Sequence, residues 1–443
     1  MSNLLAARFQ MAFSLGFHMI FAALGVGMPL LLLIAEGLWL RTRRPHYLKL
    51  AKTWGKATGL TFAVGAVSGT ALSFELGLLW PAFMGFAGIA VGPAFTVEGF
   101  AFFTEAIFIG LYLYGWKRLS PLAHWLTGIP VAIAGAASSV LVVAADAWMQ
   151  NPLGADLLKA NPAAVDPAGI LFGNPTWPIM AIHSTLATYA ATAFAVAGIY
   201  AWGALRGKKD AVRRSALRIV LVVGTLAAAL MPITGDRSAK YAARFQPAKL
   251  AAMESQFQTE KGAPLRIGGW PDPETGEVRY AIDLPKGLSF LAFGDFNAEV
   301  KGLDQFPRQD WPNVPVTHVS FQLMVVAGIL MLAAVAWYWY VAWKRRGREL
   351  DNDVLLRILI GASPLGFLAL ETGWIVTEVG RQPWILYNVM RTSEAVTPNP
   401  HVLSTLVGFV ALYLLLGLTL VWLLRRLSHE EAGLEAYGEG AAS

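Results

Sequence analysis

Long apolar runs alternate with polar connections along most of the chain. Charges, Gly and Pro bound nine such runs, at approximately 11–40, 57–84, 92–116, 125–147, 177–204, 218–236, 317–343, 354–379 and 402–424. A helix of about 20 predominantly apolar residues crosses the hydrocarbon core of a bilayer, and each run approaches or exceeds that length. The pattern predicts an all-α polytopic membrane protein with nine transmembrane helices in bundles.

Lys and Arg are concentrated in alternate connections. Residues 41–56 and 205–218 hold six each and 343–357 hold five, whereas 148–176 and 380–401 hold one and two. Positively charged loops stay in the cytoplasm, so the N-terminus is predicted outside and, after nine crossings, the C-terminus inside. The first run is too long for a signal peptide and ends in basic residues, which predicts a retained helix.

One connection, residues 237–316, is far longer than the others. It is polar, contains Pro and Gly, and is predicted on the outer side, where its length favours a functional loop. Its start, GDRSAKYAARFQPAKLAAMESQFQ, predicts a short amphipathic helix near the surface. The chain therefore divides into transmembrane helices 1–6 (residues 1–236), this outer loop (237–316), and helices 7–9 with a short cytoplasmic tail (317–443).

Composition narrows the chemistry. Hydrophobic residues make up 56% of the 443 residues and charged residues 14%, as a membrane protein requires. The absence of cysteine excludes disulfides, thiolate-bound metals and C-x-x-C-H haem attachment, so any metal must bind His, Met, Asp or Glu. The net charge of +6 is explained by the cytoplasmic loops and does not indicate nucleic-acid binding.

Several ionisable side chains lie within the apolar runs, where each costs about 2.5–3.5 kcal/mol to insert and therefore suggests a function. They are His18, Glu75, Glu98, Glu105, Asp146, His183, Glu371 and Glu378. The predicted topology places His18, Glu98, His183 and Glu378 at a similar outer depth, together with Met324. Taken singly, each residue has a simpler structural explanation. A membrane His often forms a hydrogen bond to a neighbouring helix, and Met often fills a gap in the packing. Together they favour metal or haem ligation.

A second polar pattern extends inward from these candidates. Glu98 and Glu105 are seven residues apart, which places both on one face of the third helix, with Glu105 about 10 Å deeper. This geometry suits a ligand above and a proton-carrying carboxylate below. Ser138 either continues the polar track along the fourth helix or bonds its own helix backbone.

These residues alone leave two classes of function open. One is a haem-containing oxidoreductase, and the other is a proton- or ion-coupled secondary transporter, which also needs buried carboxylates and broken helices. The absence of a visible internal repeat and the shared depth of the ligand candidates favour the oxidoreductase. A visible absorption spectrum separates the two classes.

Sequence motifs add a family resemblance that covers nearly the whole chain. The segments RFQMAFSLGFHMIF, VEGFAFFTEAIF, AWMQNPLG, FQLM and GWIVTEVGRQPW, with the span around His183, resemble subunit I of the cytochrome bd-type quinol oxidases. GRQPW with its upstream Trp and Glu is the most specific marker, and WMQNP is the second. The loop 237–316 resembles the family's quinol loop in its short form.

The resemblance implies oxidation of quinol at the outer face and reduction of O2 to water with cytoplasmic protons, which generates a proton motive force without pumping. It implies three haems. His183 and Met324 match the axial ligands of the low-spin haem, and His18, Glu98 and Glu378 match ligands of the two high-spin irons, without a division between them. The remaining matches are Trp374 and Arg381 beside the haems, Glu105 and Ser138 in the proton path, and Lys249 and Glu254 in quinol oxidation.

Three features set this chain apart within the family pattern. Gln322 stands where well-known members carry Arg, the Glu98 to Glu105 spacing is seven rather than eight, and the tail is short. Together with the segment EGFAFF, these features resemble the cyanide-insensitive branch of the family. Two haems are therefore expected to be b-type, and the third either d-type or b-type.

The resemblance also implies partners and a location. A second membrane subunit is expected, and a small single-span subunit is compatible with the family. The electron donor is ubiquinol or menaquinol, the acceptor is O2, and the location is the bacterial cytoplasmic (inner) membrane.

Overall fold

The computed structural model describes residues 2–440, with side-chain surroundings for residues 2–426. Within this part of the chain, nine helical segments are long and apolar enough to cross a membrane. They are α1 (Asn3–Thr42), α2 (Pro45–Leu79), α3 (Pro81–Gly115), α4 (Pro121–Gln150), α7 (Trp177–Leu205), α8 (Ala211–Phe245), α11 (Val314–Arg345), α12 (Asp353–Ala362) with α13 (Leu365–Val379), and α15 (Val402–Gly440). The predicted all-α fold with nine spans is confirmed. The direction of crossing stays a prediction.

Shorter elements fill the connections. The helices are α5 (Ala155–Ala160), α6 (Pro167–Phe172), α9 (Pro247–Met253), α10 (Gly287–Phe293) and α14 (Thr392–Ala395). The strands are β1 (Glu260–Lys261), β2 (Leu265–Ile267), β3 (Trp270–Asp272), β4 (Glu277–Arg279), β5 (Ile282–Leu284), β6 (Glu299–Val300), β7 (Trp384–Leu386) and β8 (Met390–Arg391). They pair antiparallel as β1 with β6, β2 with β5, β3 with β4, and β7 with β8.

Proline explains several helix ends that apolar length alone misplaced. The second span was expected to reach residue 84, but α2 ends at Leu79 and α3 begins at Pro81. Proline suits a first helical turn because that turn needs no backbone N–H. Pro364 likewise stands in the turn that separates α12 from α13, so the eighth span is two helices.

The start of the long loop differs from its prediction. The predicted short helix is present as α9, which begins at Pro247 after α8 has continued to Phe245, but its predicted position near the surface is wrong. Every α9 residue from Ala248 to Met253 is buried. The alanines of this segment, which suggested an exposed amphipathic helix, instead permit close packing. Leu250 joins one apolar cluster of the loop, and Ala251 and Ala252 join another.

The chain forms two compact units. The first contains residues 2–81, 104–132 and 396–440, and the second contains residues 82–103 and 133–395. In the first, α1 packs against α2, and α15 packs against both. In the second, α7 packs against α8, α12 and α13, while α11 packs against α8, α9 and α13. These units do not test the predicted three-part division, whose last three residues lie outside the described chain.

Candidate haem and quinol site

His183 is held in a form that suits a metal ligand. Its Nδ1 lies 2.8 Å from the hydroxyl of Thr234 on α8. That hydroxyl already donates its only proton toward the carbonyls of Leu230 and Met231, so it accepts from Nδ1–H. The neutral ring then keeps the lone pair of Nε2 free. A fixed tautomer of this kind is typical of a metal-binding histidine.

His18 has the same arrangement in the first unit. Its Nδ1 lies 3.0 Å from the hydroxyl of Ser68 on α2, which donates to the carbonyls of Val64 and Gly65. The hydroxyl therefore accepts from Nδ1–H, and Nε2 again keeps its lone pair. Sequence reasoning identified both histidines but neither hydroxyl partner.

Met324 lies on α11 with its sulfur against Gly373 of α13. A Cβ atom at position 373 would stand 3.1 Å from the sulfur, so a larger residue there would displace it. The helices of His183 and Met324, α7 and α11, both pack against α8 and α13. The two helices that carry the predicted axial ligands therefore share two neighbouring helices.

The GRQPW segment forms a charged site at the end of α13. Arg381 is 3% exposed and pairs with Glu378, whose side chain is 32% exposed. Arg381 also donates from Nη1 to the Ile385 carbonyl at 2.9 Å, but its buried Nε has no partner among the described residues. An unpaired buried guanidinium N–H fits an anionic group such as a haem propionate. Trp374 precedes Glu378 by about one helical turn.

Asp146 completes this site, although sequence reasoning noted only its unusual location in an apolar run and predicted no role for it. It is buried at the end of α4 and lies close enough to Glu378 and Arg381 to interact electrostatically with both. The Gln150 amide donates to its Oδ1 at 3.1 Å. Asp146 and Gln150 are four residues apart, so they are neighbours on one helix face. This spacing was the sequence signal that could have identified the pair.

Gln150 connects this charged site to the long loop. Its Oε1 accepts from Lys249 Nζ at 2.5 Å and from Gln246 Nε2 at 3.0 Å. Burial, with the nearby charge of Arg381, lowers the pKa of Lys249 to about 7. The charges of Asp146 and Glu378 act in the opposite direction and favour the ammonium form.

Glu254 lies one residue beyond α9 and is 4% exposed. Burial raises its pKa to about 8, although the charge of Arg266 acts in the opposite direction. Its Oε2 has no hydrogen-bond partner among the described residues. A buried carboxyl group with a free oxygen and a pKa near neutrality can exchange a proton with a bound molecule.

The other two predicted polar residues occupy different units. Of the two alternatives for Ser138, the structure has the contact between helices, in which its hydroxyl donates to Glu98 Oε1 at 2.9 Å, rather than a bond to its own helix backbone. Glu105 is buried in the first unit beside Gly25, and its Oε1 has no partner within the described chain. Helix α3 includes both Glu98 and Glu105.

The donor set fits haem better than a bare metal ion. No group of three or more His, Asp or Glu side chains converges on one point in the described residues. The candidate ligands instead occur singly, as axial ligands do, with tautomers fixed by hydroxyl groups and a buried Arg381 N–H available. Haem iron accepts both His and Met as axial ligands.

Comparisons with known proteins agree over the full length. Residues 6–432 match the family cytochrome bd terminal oxidase subunit I. A Bacillus subtilis (strain 168) protein with the provisional name cytochrome bd menaquinol oxidase subunit I is 37% identical over 430 residues, which cover 96% of each chain. The cytochrome bd-II ubiquinol oxidase subunit 1 of Escherichia coli (strain K12) is 27% identical over 491 residues, covering 95% of each.

A solved structure shows the same architecture. The bd oxidase from Geobacillus thermodenitrificans superimposes with a TM-score of 0.90 at 36% identity, covering 97% of this chain and 98% of that one. The resemblance found in the motifs is therefore confirmed across fold and sequence. The chain belongs to the cytochrome bd terminal oxidase subunit I family.

Proposed function

We propose that this chain is the haem-carrying subunit of a quinol oxidase that reduces O2 to water. The observation that carries the proposal is the matched environment of two partly buried histidines, His18 and His183. Thr234 and Ser68 each fix a neutral imidazole with its Nε2 lone pair free. A transporter needs no such tautomer control at two separate histidines, whereas a haem protein does.

Three haems are proposed, two b-type and one either d-type or b-type. His183 and Met324 would hold the low-spin iron, and His18, Glu98 and Glu378 would supply the two high-spin irons. Arg381 Nε is suited to a propionate. When bound, the haems supply one-electron carriage and an O2-binding iron.

Quinol oxidation is assigned to the loop residues Lys249 and Glu254. The ionised Glu254 accepts a hydroxyl proton from the bound quinol through its free Oε2. Lys249 lies within α9, and its ammonium donates to Gln150 Oε1. If the loop faces outward as the charge pattern predicts, the proton taken by Glu254 and the second quinol proton would both leave on the outer side, and the haem held by His183 and Met324 would supply the acceptor for the two electrons.

The protons consumed by O2 are proposed to come from the cytoplasm. Glu105, whose buried Oε1 has no hydrogen-bond partner among the described residues, can hold such a proton, and Ser138 can pass one to Glu98 through their 2.9 Å hydrogen bond. Opposite sides for proton release and uptake produce a proton motive force without pumping. The setting proposed is the bacterial cytoplasmic membrane, with a second membrane subunit, either ubiquinol or menaquinol as donor, and a small single-span subunit as a further candidate partner.

The visible spectrum of the purified protein tests this proposal. Soret and α bands that change on reduction by quinol, together with O2 consumption, are expected. A reduced-state chlorin band in the red would assign a d-type haem, and b-type bands alone would assign three b haems. A colourless preparation that still binds and moves a solute would overturn the oxidase and support the transporter.

A further inference from the structure

His318, at the start of α11, makes two hydrogen bonds that join separate parts of the long loop. Its ring is fully buried. Nδ1 lies 2.7 Å from the Met253 carbonyl and Nε2 lies 3.0 Å from the Gly268 carbonyl. Carbonyl oxygens only accept, so the imidazole ring is the hydrogen-bond donor in these contacts. The ring then ties the end of α9 and the segment after β2 to one helix.

Gln322, one turn further along α11, holds the same segment. Its Oε1 accepts from the Gly268 N–H at 3.1 Å, and its Nε2 donates to the Arg266 carbonyl at 3.0 Å. Gly268 thus presents both its N–H and its C=O to α11. Its φ of +67° is a left-handed conformation that glycine adopts without a Cβ penalty.

The two segments held in this way flank Glu254. Met253 is the preceding residue, so the His318 bond fixes the backbone that leads into the carboxyl group. Arg266 is the positive charge that faces Glu254, and its Nη1 also donates to the Ser255 carbonyl at 3.2 Å and to Gln256 Oε1 at 2.7 Å. Helix α11 therefore positions both Glu254 and its counter-charge.

We propose that His318 and Gln322 are positioning residues for quinol oxidation, which hold Glu254 and Arg266 in the geometry that receives the quinol hydroxyl. This inference rests on the proposed function, because it takes Glu254 as the group that contacts quinol. The two residues act through the backbone of the loop and contact neither quinol nor iron. Substituting them is expected to weaken quinol binding more than turnover.

The test is His318→Phe in the complete oxidase, with Thr317→Val as the matched control. Thr317 is the adjacent buried residue, and among the described residues its hydroxyl bonds the carbonyl of Asn313, the N-cap of its own helix. His318→Phe is expected to raise the KM for a short-chain quinol about tenfold or more, with kcat changed less than about threefold. The Kd of the matching short-chain quinone should rise in parallel, and Thr317→Val should change neither.

A second variant approaches the same contact from the loop. Gly268→Ala adds a Cβ into open space, so its effect comes only from the strained positive φ. It should raise the KM in the same direction with an unchanged low-spin haem spectrum. A wild-type KM in either folded, haem-replete variant would overturn the inference. A wild-type oxidase that holds haem but never oxidises quinol would overturn the proposed function instead.

Discussion

The ammonium of Lys249 lies 2.5 Å from the side-chain oxygen of Gln150. Because Gln150 also donates to Asp146, beside Glu378 and Arg381, a chain of polar contacts connects the loop to the GRQPW site. One proposed quinol residue, Lys249, and one proposed high-spin ligand, Glu378, therefore share a polar network. Such a network strengthens each member when all are satisfied and is costly when one is removed.

Gln150→Leu tests this connection. It removes the acceptor of the Lys249 ammonium, and hydrogen bonds to charged groups contribute roughly 1.5–3 kcal/mol, so kcat/KM for quinol should fall at least about tenfold. Gln246→Leu is the control, because it removes only a neutral donor from the same oxygen and should cost a few-fold. Equal losses in steady-state quinol oxidation would show that the charged bond has no special role.

The raised pKa of Glu254 predicts a pH dependence. Burial brings its pKa from 4.5 to about 8, so the proton-accepting carboxylate becomes more populated as the pH rises toward 8. The kcat/KM for quinol should therefore rise over this range, and Glu254→Gln should lose activity and that rising limb together. Profiles of kcat/KM from about pH 6 to 9, for the wild type and the variant, measure this pH dependence. An unchanged limb in the variant would assign it to another group.

The same group gives a stability slope of defined sign. Between pH 4.5 and about 8 the folded protein keeps the Glu254 proton, whereas the unfolded chain releases it. The unfolded state then binds fewer protons, so this residue's contribution to stability decreases as the pH rises through that window. As the pH rises from 4.5 to about 8, the Tm of the wild type should therefore fall relative to that of Glu254→Gln.

Local patterns in the sequence were enough to predict the spans and to single out the ionisable residues within them, because apolar length and an ionisable residue in an apolar run are one-dimensional signals. The partner of each side chain was not accessible in this way. Ser138 bonds Glu98, and Asp146 faces Glu378, only because helices far apart in sequence pack at particular rotations. The burial of α9 was missed for the same reason, since its alanines fit both an exposed and a packed face.

Glu378→Ala should remove one high-spin haem signal and leave the haem of His183 and Met324. The reason is that Glu378 and Arg381 form one ion pair at the end of α13, while His183 is fixed separately by Thr234 on α8. Haem extraction and reduced-minus-oxidised spectra measure both. Loss of the low-spin bands together with the high-spin signal would contradict the assignment, provided that the variant keeps its helical content.

Ser138→Ala tests the polar track. It leaves Glu98 without its 2.9 Å donor, so O2 reduction should slow while quinol still reduces the low-spin haem. Ser139→Ala, which changes the neighbouring hydroxyl, is the matched control. Glu105→Gln should slow the same step with full haem content, because the amide cannot carry the proton. Stopped-flow reaction of the reduced enzyme with O2 separates the steps, and wild-type rates would remove these residues from the path.

The first unit contains a buried pair whose stability effect can be predicted from donors and acceptors alone. Glu36 and His124 are 0% and 2% exposed, and His124 Nδ1 lies 2.7 Å from Glu36 Oε1. His124 Nε2 lies 2.8 Å from the Tyr112 carbonyl and must donate to it. A proton must therefore lie between Nδ1 and the carboxyl group, whichever of the two formally owns it.

Removing one member of that pair leaves the other buried without its hydrogen-bond partner. Glu36→Leu and His124→Phe should each destabilise the protein by about 3–5 kcal/mol, whereas the double variant should cost less than their sum. Glu36→Gln should stay close to wild type, because its amide N–H can occupy the place of the shared proton. Thermal unfolding in detergent, followed by haem loss, measures the four variants. Additive losses would mean that the two side chains stabilise their helices independently, and a severe loss in Glu36→Gln would show that the contact requires a charge rather than a proton.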